Sequence, residues 1–349
     1  MVAATAWPLA VACLGTAVAS ALLVRLGLAY ARRRKLIDQP GQRRSHAVPT
    51  PRGGGIGIVV AGVLAMAALA GGLSTWREIG VLAAILAVAV VGWIDDHRGL
   101  PAGRRFGVHC LAGGLAVAAC LHPAMPLPLA ATAVLALLAA AGLVWSINLH
   151  NFMDGIDGLL AWQAVFVLLV LAALEAAAGE IGPPRAMLLW AAAVAGFLPF
   201  NFPRARIFMG DVGSGALGLV IGIAVLAVAQ RDWTAAAAAL VACSAFMVDA
   251  GCTLLSRMLR GRRWYSAHRE HLYQWLVRRG LPHARVVGLY MGWNLFIVLP
   301  SILIITRLPA GAAVTLALAI HALAVLLWWR GKQACLGAAG RRRVPCCEN

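Results

Sequence analysis

The sequence contains few charged residues and very few acidic ones. Of its 349 residues, 12% are charged and 13 are Asp or Glu, whereas 62% are hydrophobic. In an ordinary soluble domain roughly a quarter of the residues are charged. With a mean hydropathy of +0.83, the chain has too little polar surface to cover one water-soluble core. The composition excludes a water-soluble monomer and predicts a polytopic membrane protein.

Two further absences narrow the functional classes. The eight cysteines show no repeated spacing, which argues against a disulfide framework and against a zinc site. The net charge is +17, but no separate basic domain is present that could dock a duplex, so we expect no nucleic-acid partner. The first apolar run ends in a basic cluster at 32–35 rather than at a small-residue cleavage site, so we expect it to remain a transmembrane anchor.

Long apolar runs recur along the chain. A helix needs about 20 apolar residues to cross the hydrocarbon of a bilayer. We therefore predict an all-α polytopic membrane helix bundle of about eleven transmembrane helices over residues 1–330, followed by a basic cytoplasmic tail over 331–349. The third and seventh spans are short, so neighbours should bury them or flanking residues should extend them. The predicted spans are 6–30, 54–73, 79–94, 106–122, 127–147, 158–178, 186–200, 212–230, 234–256, 286–306 and 309–329.

The basic residues predict the orientation of these spans. If the N-terminus is outside, the inside segments contain 25 Lys and Arg residues and the outside segments contain four. The positive-inside rule therefore favours an outside N-terminus and an inside C-terminus. The four outside residues are Arg77, Arg185, Arg231 and Arg307.

Five of the few acidic residues lie in three predicted inside loops. They are Asp95 and Asp96, Asp154 and Asp157, and Asp211. A single such Asp would be read as a solvated helix end, but five carboxylates at one membrane face need a compensating cation or ligand. Hard oxygen ligands favour Mg²⁺ or Mn²⁺. Because Mg²⁺ takes only one or two protein carboxylates, the five must have different roles.

Polar residues also recur at every third position in the second of these loops. The series is Asn148, Asn151, Asp154 and Asp157. A helical or 3₁₀ segment would place all four on one face. We therefore expect them to point towards a common site.

Glycine-rich segments at 49–57 and 210–215 each precede a predicted helix. Backbone N–H groups at a helix start bind anions, and phosphate would be the natural ligand. Close helix packing is the alternative, and it is the commoner reason for glycine at the end of a transmembrane helix.

Two other inside or buried positions carry ionisable groups. His268 and His271 lie in the basic loop 257–285, where histidine can donate hydrogen bonds to a phosphate. Asp249 lies inside the ninth span, where an ionisable residue is a functional candidate. A structural pairing of Asp249 with a buried arginine or polar group is an equal alternative.

The order of these motifs resembles that of the bacterial polyprenyl-phosphate sugar-1-phosphate transferases, the superfamily of the phospho-N-acetylmuramoyl-pentapeptide and undecaprenyl-phosphate N-acetylglucosamine-1-phosphate transferases. The sequence departs from the family pattern at two places. Gly99 stands where the family often has a third acid. His271-Leu-Tyr273 stands in place of His-x-His, and this form is similar to that of the branch that starts O-antigen or capsule units. The matching segments are 93–96, 148–159, 208–214, Val248-Asp249 and Pro49-Thr-Pro-Arg-Gly-Gly.

The resemblance implies a Mg²⁺-dependent enzyme in the inner membrane of a bacterium, with its active site at the cytoplasmic face. It would transfer an N-acetylhexosamine 1-phosphate from a UDP-sugar to undecaprenyl phosphate, release UMP and start a lipid-linked envelope glycan; a homodimer is compatible with it. The implied catalytic residues are Asp95, Asp96, Asp157 and His271, the metal ligands Asp211, Asn151 and Asp154, and the substrate-binding residues Asn148, Gly210, Ser214, His268, Arg52 and His46.

The competing hypothesis is a cation- or proton-coupled membrane transporter. Its carboxylates would cluster near the bilayer midplane. Here five acids lie at one predicted face and only Asp249 lies well inside a span. The distribution therefore favours the transferase.

Overall fold

A computed structural model describes residues 2–39, 48–69, 75–122, 128–262 and 269–341. Over these ranges the chain is mostly helical, which confirms the predicted all-α class. The only strands in them are the two-residue β1 (Ile37–Asp38) and β2 (Thr50–Pro51), which pair antiparallel. The predicted binding residues His46 and His268 lie outside the described ranges.

The helices follow one another with short connections. A five-residue π-helical turn, Asn294–Val298, separates the twelfth helix from the thirteenth. The helices are α1 (Val2–Arg34), α2 (Gly55–Leu69), α3 (Trp76–Arg98), α4 (Ala102–Cys120), α5 (Leu129–Met153), α6 (Leu159–Ala177), α7 (Gly182–Asn201), α8 (Asp211–Ala229), α9 (Trp233–Ala242), α10 (Ser244–Leu259), α11 (Leu272–Arg278), α12 (His283–Trp293), α13 (Leu299–Ile305) and α14 (Ala310–Arg341).

Helical structure lies at each of the eleven predicted spans. The ninth is the pair α9 and α10, bent by 73°, and flanking residues extend the short third and seventh spans into α3 and α7. Seven described helices are long and apolar enough to cross a membrane, or eight if the bent pair is one span. The chain is thus a multi-pass membrane protein, while eleven crossings and the orientation remain predictions. The last helix continues to Arg341, through the first part of the predicted tail.

Helix α8 is the centre of the bundle, where it packs against α2, α3, α5, α6 and α9. Its first turn touches other backbones directly. A Cβ atom added at Gly92 of α3 would lie 2.4 Å from the Asp211 carbonyl oxygen, and one at Gly55 of α2 would lie 2.3 Å from the Gly213 Cα. Side chains at these positions would therefore separate the three helices.

The first glycine-rich segment serves this packing. The Gly54 N–H donates to the Phe208 carbonyl at 2.9 Å, and the Gly55 N–H donates to the Met209 carbonyl at 2.8 Å. Backbone carbonyls thus accept from the N–H groups that were expected to bind phosphate. For the segment 49–57 the structure supports the packing alternative.

Asp249 joins four helices at the other side of the bundle. Its carboxylate is 2% exposed and accepts hydrogen bonds from α10, α11, α12 and α14. The structure therefore shows the second alternative for this residue, a structural pairing with polar groups. The donors are Leu272 N (2.7 Å), Tyr273 N (3.3 Å), Tyr290 Oη (2.6 Å), Trp328 Nε1 (3.0 Å) and Thr253 Oγ1 (3.4 Å).

We predict that Asp249→Asn destabilises the protein by about 3 kcal/mol, because an amide accepts at one oxygen only and leaves buried donors unsatisfied. Chemical denaturation in detergent micelles would measure this loss. Asp232→Asn is the matched control, since Asp232 is exposed and caps α9 through one bond to the Ala235 N–H; it should cost about 1 kcal/mol or less. Equal losses in the two variants would contradict the role of Asp249.

Candidate active site

The end of α3 meets the start of α8 through Asp96. The Asp96 carboxylate accepts from the N–H groups of Asp211 and Val212, both at 3.2 Å, and its side chain is 3% exposed. It therefore caps α8, where a negative charge is favourable. Gly210 permits the close approach, with φ +77° and only 2.5 Å from its ideal Cβ position to an Asp96 oxygen.

Arg105 connects the first and third acidic motifs. Its Nη1 lies 2.7 Å from Asp95 Oδ2 and 2.7 Å from Asp211 Oδ2. Asp95 also accepts from the Leu100 N–H. From the sequence, Arg105 is predicted only as one of the inside basic residues. The signal that could have revealed it is the short connection between α3 and α4, which makes these helices neighbours.

The middle motif joins the same cluster through Asn151. Its Nδ2 donates to Asp211 Oδ1 at 2.9 Å and to Ser214 Oγ at 3.1 Å. The structure therefore brings together three predicted site residues from α5 and α8. A fourth, Arg52, donates to the Asp96 backbone carbonyl.

Asn148 has different contacts. Its amide donates to the Val144 carbonyl at 2.7 Å and hydrogen-bonds with His109 of α4. The prediction that four polar residues share one face is wrong, because α5 ends at Met153, so that Asp154 and Asp157 lie beyond it. In addition, a three-residue step in an α-helix falls short of a full turn, so the direction drifts.

Asp154 caps the C-terminal end of α5 and points into a concentration of negative charge. Its carboxylate accepts from the Gly210 N–H. Burial, and then the nearby carboxylates of Asp211 and Asp96, raise the pKa of Asp154 to about 8. The N–H groups that were expected to bind substrate phosphate at the start of α8 thus donate to Asp154 and Asp96.

Asp157 lies in a neighbouring arrangement. Its Oδ2 lies 3.2 Å from His283 Nδ1 and accepts from the Ala205 N–H at 3.2 Å. The adjacent Gly158 N–H donates to the Asn201 amide oxygen at 2.8 Å. The sequence does not predict a role for His283, because no local motif connects this residue to the acidic loops.

His271 is the N-cap of α11 and lies close to the loop that carries Asp154. Its side chain is 2% exposed, and burial lowers the pKa of its imidazole. Two residues later, Tyr273 Oη donates to the Phe152 carbonyl at 2.9 Å and lies directly against Gly155. The His271-Leu-Tyr273 segment therefore packs against the loop that carries Asp154 and stabilises it.

The donor chemistry of this cluster fits a hard divalent cation. Asp211, Asp154 and Asn151 offer carboxylate and amide oxygens, and Arg105 lies between Asp95 and Asp211. In the described ranges, no group of three or more His, Cys, Asp or Glu side chains that could hold a metal ion is found. Mg²⁺ needs only one or two protein carboxylates and completes its shell with water and substrate phosphates, so the residues present are sufficient.

Comparison with known proteins agrees with this geometry. Residues 78–229, which contain all five aspartates, match glycosyl transferase family 4. The chain is 30% identical to the decaprenyl-phosphate N-acetylglucosaminephosphotransferase of Mycobacterium leprae over 75% of both chains. It is 33% identical to the protein of the same name from Mycolicibacterium smegmatis, over 74% of this chain and 72% of that protein.

A second branch of the superfamily is also represented. The chain is 35% identical to the phospho-N-acetylmuramoyl-pentapeptide-transferase of Deinococcus radiodurans, over 49% of this chain and 59% of that protein. The chain belongs to glycosyl transferase family 4, within the polyprenyl-phosphate sugar-1-phosphate transferase superfamily.

Proposed function

We propose that this protein transfers an N-acetylhexosamine 1-phosphate from a UDP-sugar to a polyprenyl phosphate such as undecaprenyl phosphate. A lipid phosphate oxygen attacks the sugar-proximal phosphorus, the bond between that phosphorus and the bridging oxygen breaks, and UMP leaves. The observation that carries the proposal is the bridge from Arg105 to Asp95 and Asp211. The Arg105 guanidinium joins two acidic motifs, so that charged groups from both lie at one place. Phosphoryl transfer depends on such positioning and on electrostatic stabilisation.

The contacts suggest different roles for the two members of the Asp95–Asp96 pair. Asp95 is half-buried and faces Arg105, so we assign it to orienting the lipid phosphate. A phosphate monoester is already largely dianionic at pH 7, so its alignment contributes more than its deprotonation. The Asp96 carboxylate oxygens accept hydrogen bonds from N–H groups at the start of α8. We therefore assign Asp96 to positioning Asp211.

Mg²⁺, when bound, would neutralise charge on the donor diphosphate, and Asp211, Asn151 and Asp154 are the residues that would hold it. Ser214 lies within hydrogen-bond distance of Asn151 and would orient that amide. Arg105 and Arg52 supply the cationic side chains of this cluster, and we assign them to the substrate phosphates.

We assign Asp157, paired with His283 of α12, to the donor side of the site, because Asp157 lies on the loop after Asp154. His271 is assigned as a positioning residue, since its ring is buried and stacks on Phe152 at a centroid distance of 6.2 Å. Asn148 is assigned a positioning role through its contact with His109 of α4. Gly210 is assigned one through its backbone contact with Asp154. His46 and His268 remain predicted substrate contacts.

The placement in the membrane follows from charge. We propose that the N-terminus is outside and that the site faces the cytoplasm of a bacterium, in its inner membrane, because the basic residues divide 25 to 4 in favour of this orientation. The product would then start an envelope glycan, such as an O-antigen or capsule unit. The transporter alternative has no comparable support, since the named relatives are phosphosugar transferases.

The proposal predicts that purified protein, given polyprenyl phosphate and a panel of radiolabelled UDP-N-acetylhexosamines, releases UMP in step with a lipid-linked product. Asp211→Asn should lower the rate by about 100-fold or more, because an amide replaces a charged ligand. The variant should still reach the membrane, and higher magnesium should restore part of the activity. If no UDP-sugar releases UMP, the reaction is refuted; near-normal activity of the variant at low magnesium would refute the role of Asp211.

A second prediction concerns the arginine that bridges the motifs. Arg105→Gln should lower kcat/KM by about 100-fold, because it removes the positive charge that lies between two carboxylates and that is assigned to the substrate phosphates. Arg104→Gln is the matched control, since Arg104 is the exposed neighbour in the same helix turn. It should stay within about threefold of the wild type. Equal losses in both variants would indicate a general effect of basic charge and contradict the bridging role.

A third prediction uses the raised pKa of Asp154, which is about 8 in the folded protein and about 3.9 when unfolded. Between these values the folded state binds more protons, so the stability of the cation-free protein should fall as the pH rises from about 4 to 8. Thermal unfolding in EDTA should show this slope, and Asp154→Asn should flatten it. Mg²⁺ should raise Tm more at pH 8.5 than at pH 6. A slope that is unchanged in Asp154→Asn would contradict the assignment.

A further inference from the structure

One apolar cavity lies at the end of the bundle opposite to the acidic loops. It has a volume of about 570 Å³ and is enclosed by the early part of α3 and the late parts of α4, α6 and α8, with the start of α7. The site residues lie at the other ends of α3 and α8. No step of the transferase reaction uses this cavity.

The cavity has an apolar interior and a charged rim. Ile85, Trp190 and Val220 form part of its deep wall and are buried. Its rim carries Arg77, Arg185 and Arg231, which are three of the four arginines of the predicted outside segments. An apolar interior below guanidinium groups is an arrangement that suits an amphiphile whose head carries a phosphate.

Two of the three rim arginines have no carboxylate partner. Arg231 lies 3.5 Å from the buried Glu175 and donates to the Leu174 carbonyl at 3.0 Å. Among the described residues, Arg77 and Arg185 form no ion pair. The three arginines balance three lining glutamates in number, so the rim has no net charge, but the guanidinium groups of Arg77 and Arg185 can still donate to phosphate oxygens. These glutamates are Glu78, Glu175 and Glu180.

We propose that this cavity binds one phospholipid of the surrounding bilayer, with its phosphodiester at Arg77 and Arg185 and an acyl chain in the apolar interior. The interior selects a lipid over a soluble phosphate, because a headgroup alone would leave the apolar wall exposed to water. The cavity is thus a structural lipid site, separate from the binding of the polyprenyl substrate.

The test uses the full chain, stripped of lipid in detergent and then mixed with dioleoyl phosphatidylglycerol. Native mass spectrometry counts the retained lipids, and thermal unfolding measures their effect. The wild type should retain one lipid more than the double variant Arg77→Gln/Arg185→Gln and should gain a few degrees more in Tm, on the order of 5 °C. Arg307→Gln, at the fourth outside arginine, does not line the cavity and should behave as the wild type does.

Three further measurements complete the test. Ala227→Phe, which fills the interior from α8, should remove the same lipid without changing the rim. Dioleoylglycerol, which lacks the phosphate, should give a smaller Tm gain than phosphatidylglycerol. The proposal is overturned if the double variant retains as many lipids as Arg307→Gln, if dioleoylglycerol stabilises equally, or if glycerol 1-phosphate alone reproduces the full effect.

Discussion

The site depends on the direct backbone contact between α8 and the ends of two other helices. Gly92, Gly55 and Gly213 leave no room for a side chain between α3, α2 and the first turn of α8. This contact brings Asp96 within hydrogen-bond distance of the α8 N-terminus and lets Arg105 reach Asp95 and Asp211 together. Motifs that lie more than a hundred residues apart in the chain become one site because three helices touch at glycine.

The second feature of the site is its excess of negative charge. Backbone N–H groups of α8 stabilise Asp96 and Asp154, and Arg105 neutralises part of the charge on Asp95 and Asp211. The substrates of the proposed reaction add phosphates, which are also negative. The proposed reaction would therefore need cations to compensate part of this charge, as phosphoryl transfer generally does.

The sequence allowed the helical class and the positions of the helices to be predicted, because hydrophobic length determines them, and the resemblance to a known family implied that Asn151 and Asp211 share one site. It did not reveal Arg105 or His283. The charge of Arg105 already had an explanation in membrane topology, and the partner of His283, Asp157, lies in the distant loop between α5 and α6. Such contacts depend on how the elements pack in three dimensions, which one sequence does not specify.

The break between α9 and α10 has a mechanical consequence. A ten-residue helix such as α9 rises about 15 Å, half of the roughly 30 Å hydrocarbon core, and α10 then leaves it at 73°. Asp249 of α10 accepts from the Leu272 N–H of α11, and Tyr273 of α11 donates to the Phe152 carbonyl beside the loop of Asp154. A continuous series of hydrogen-bonded residues therefore connects the bent helix pair to the acidic cluster.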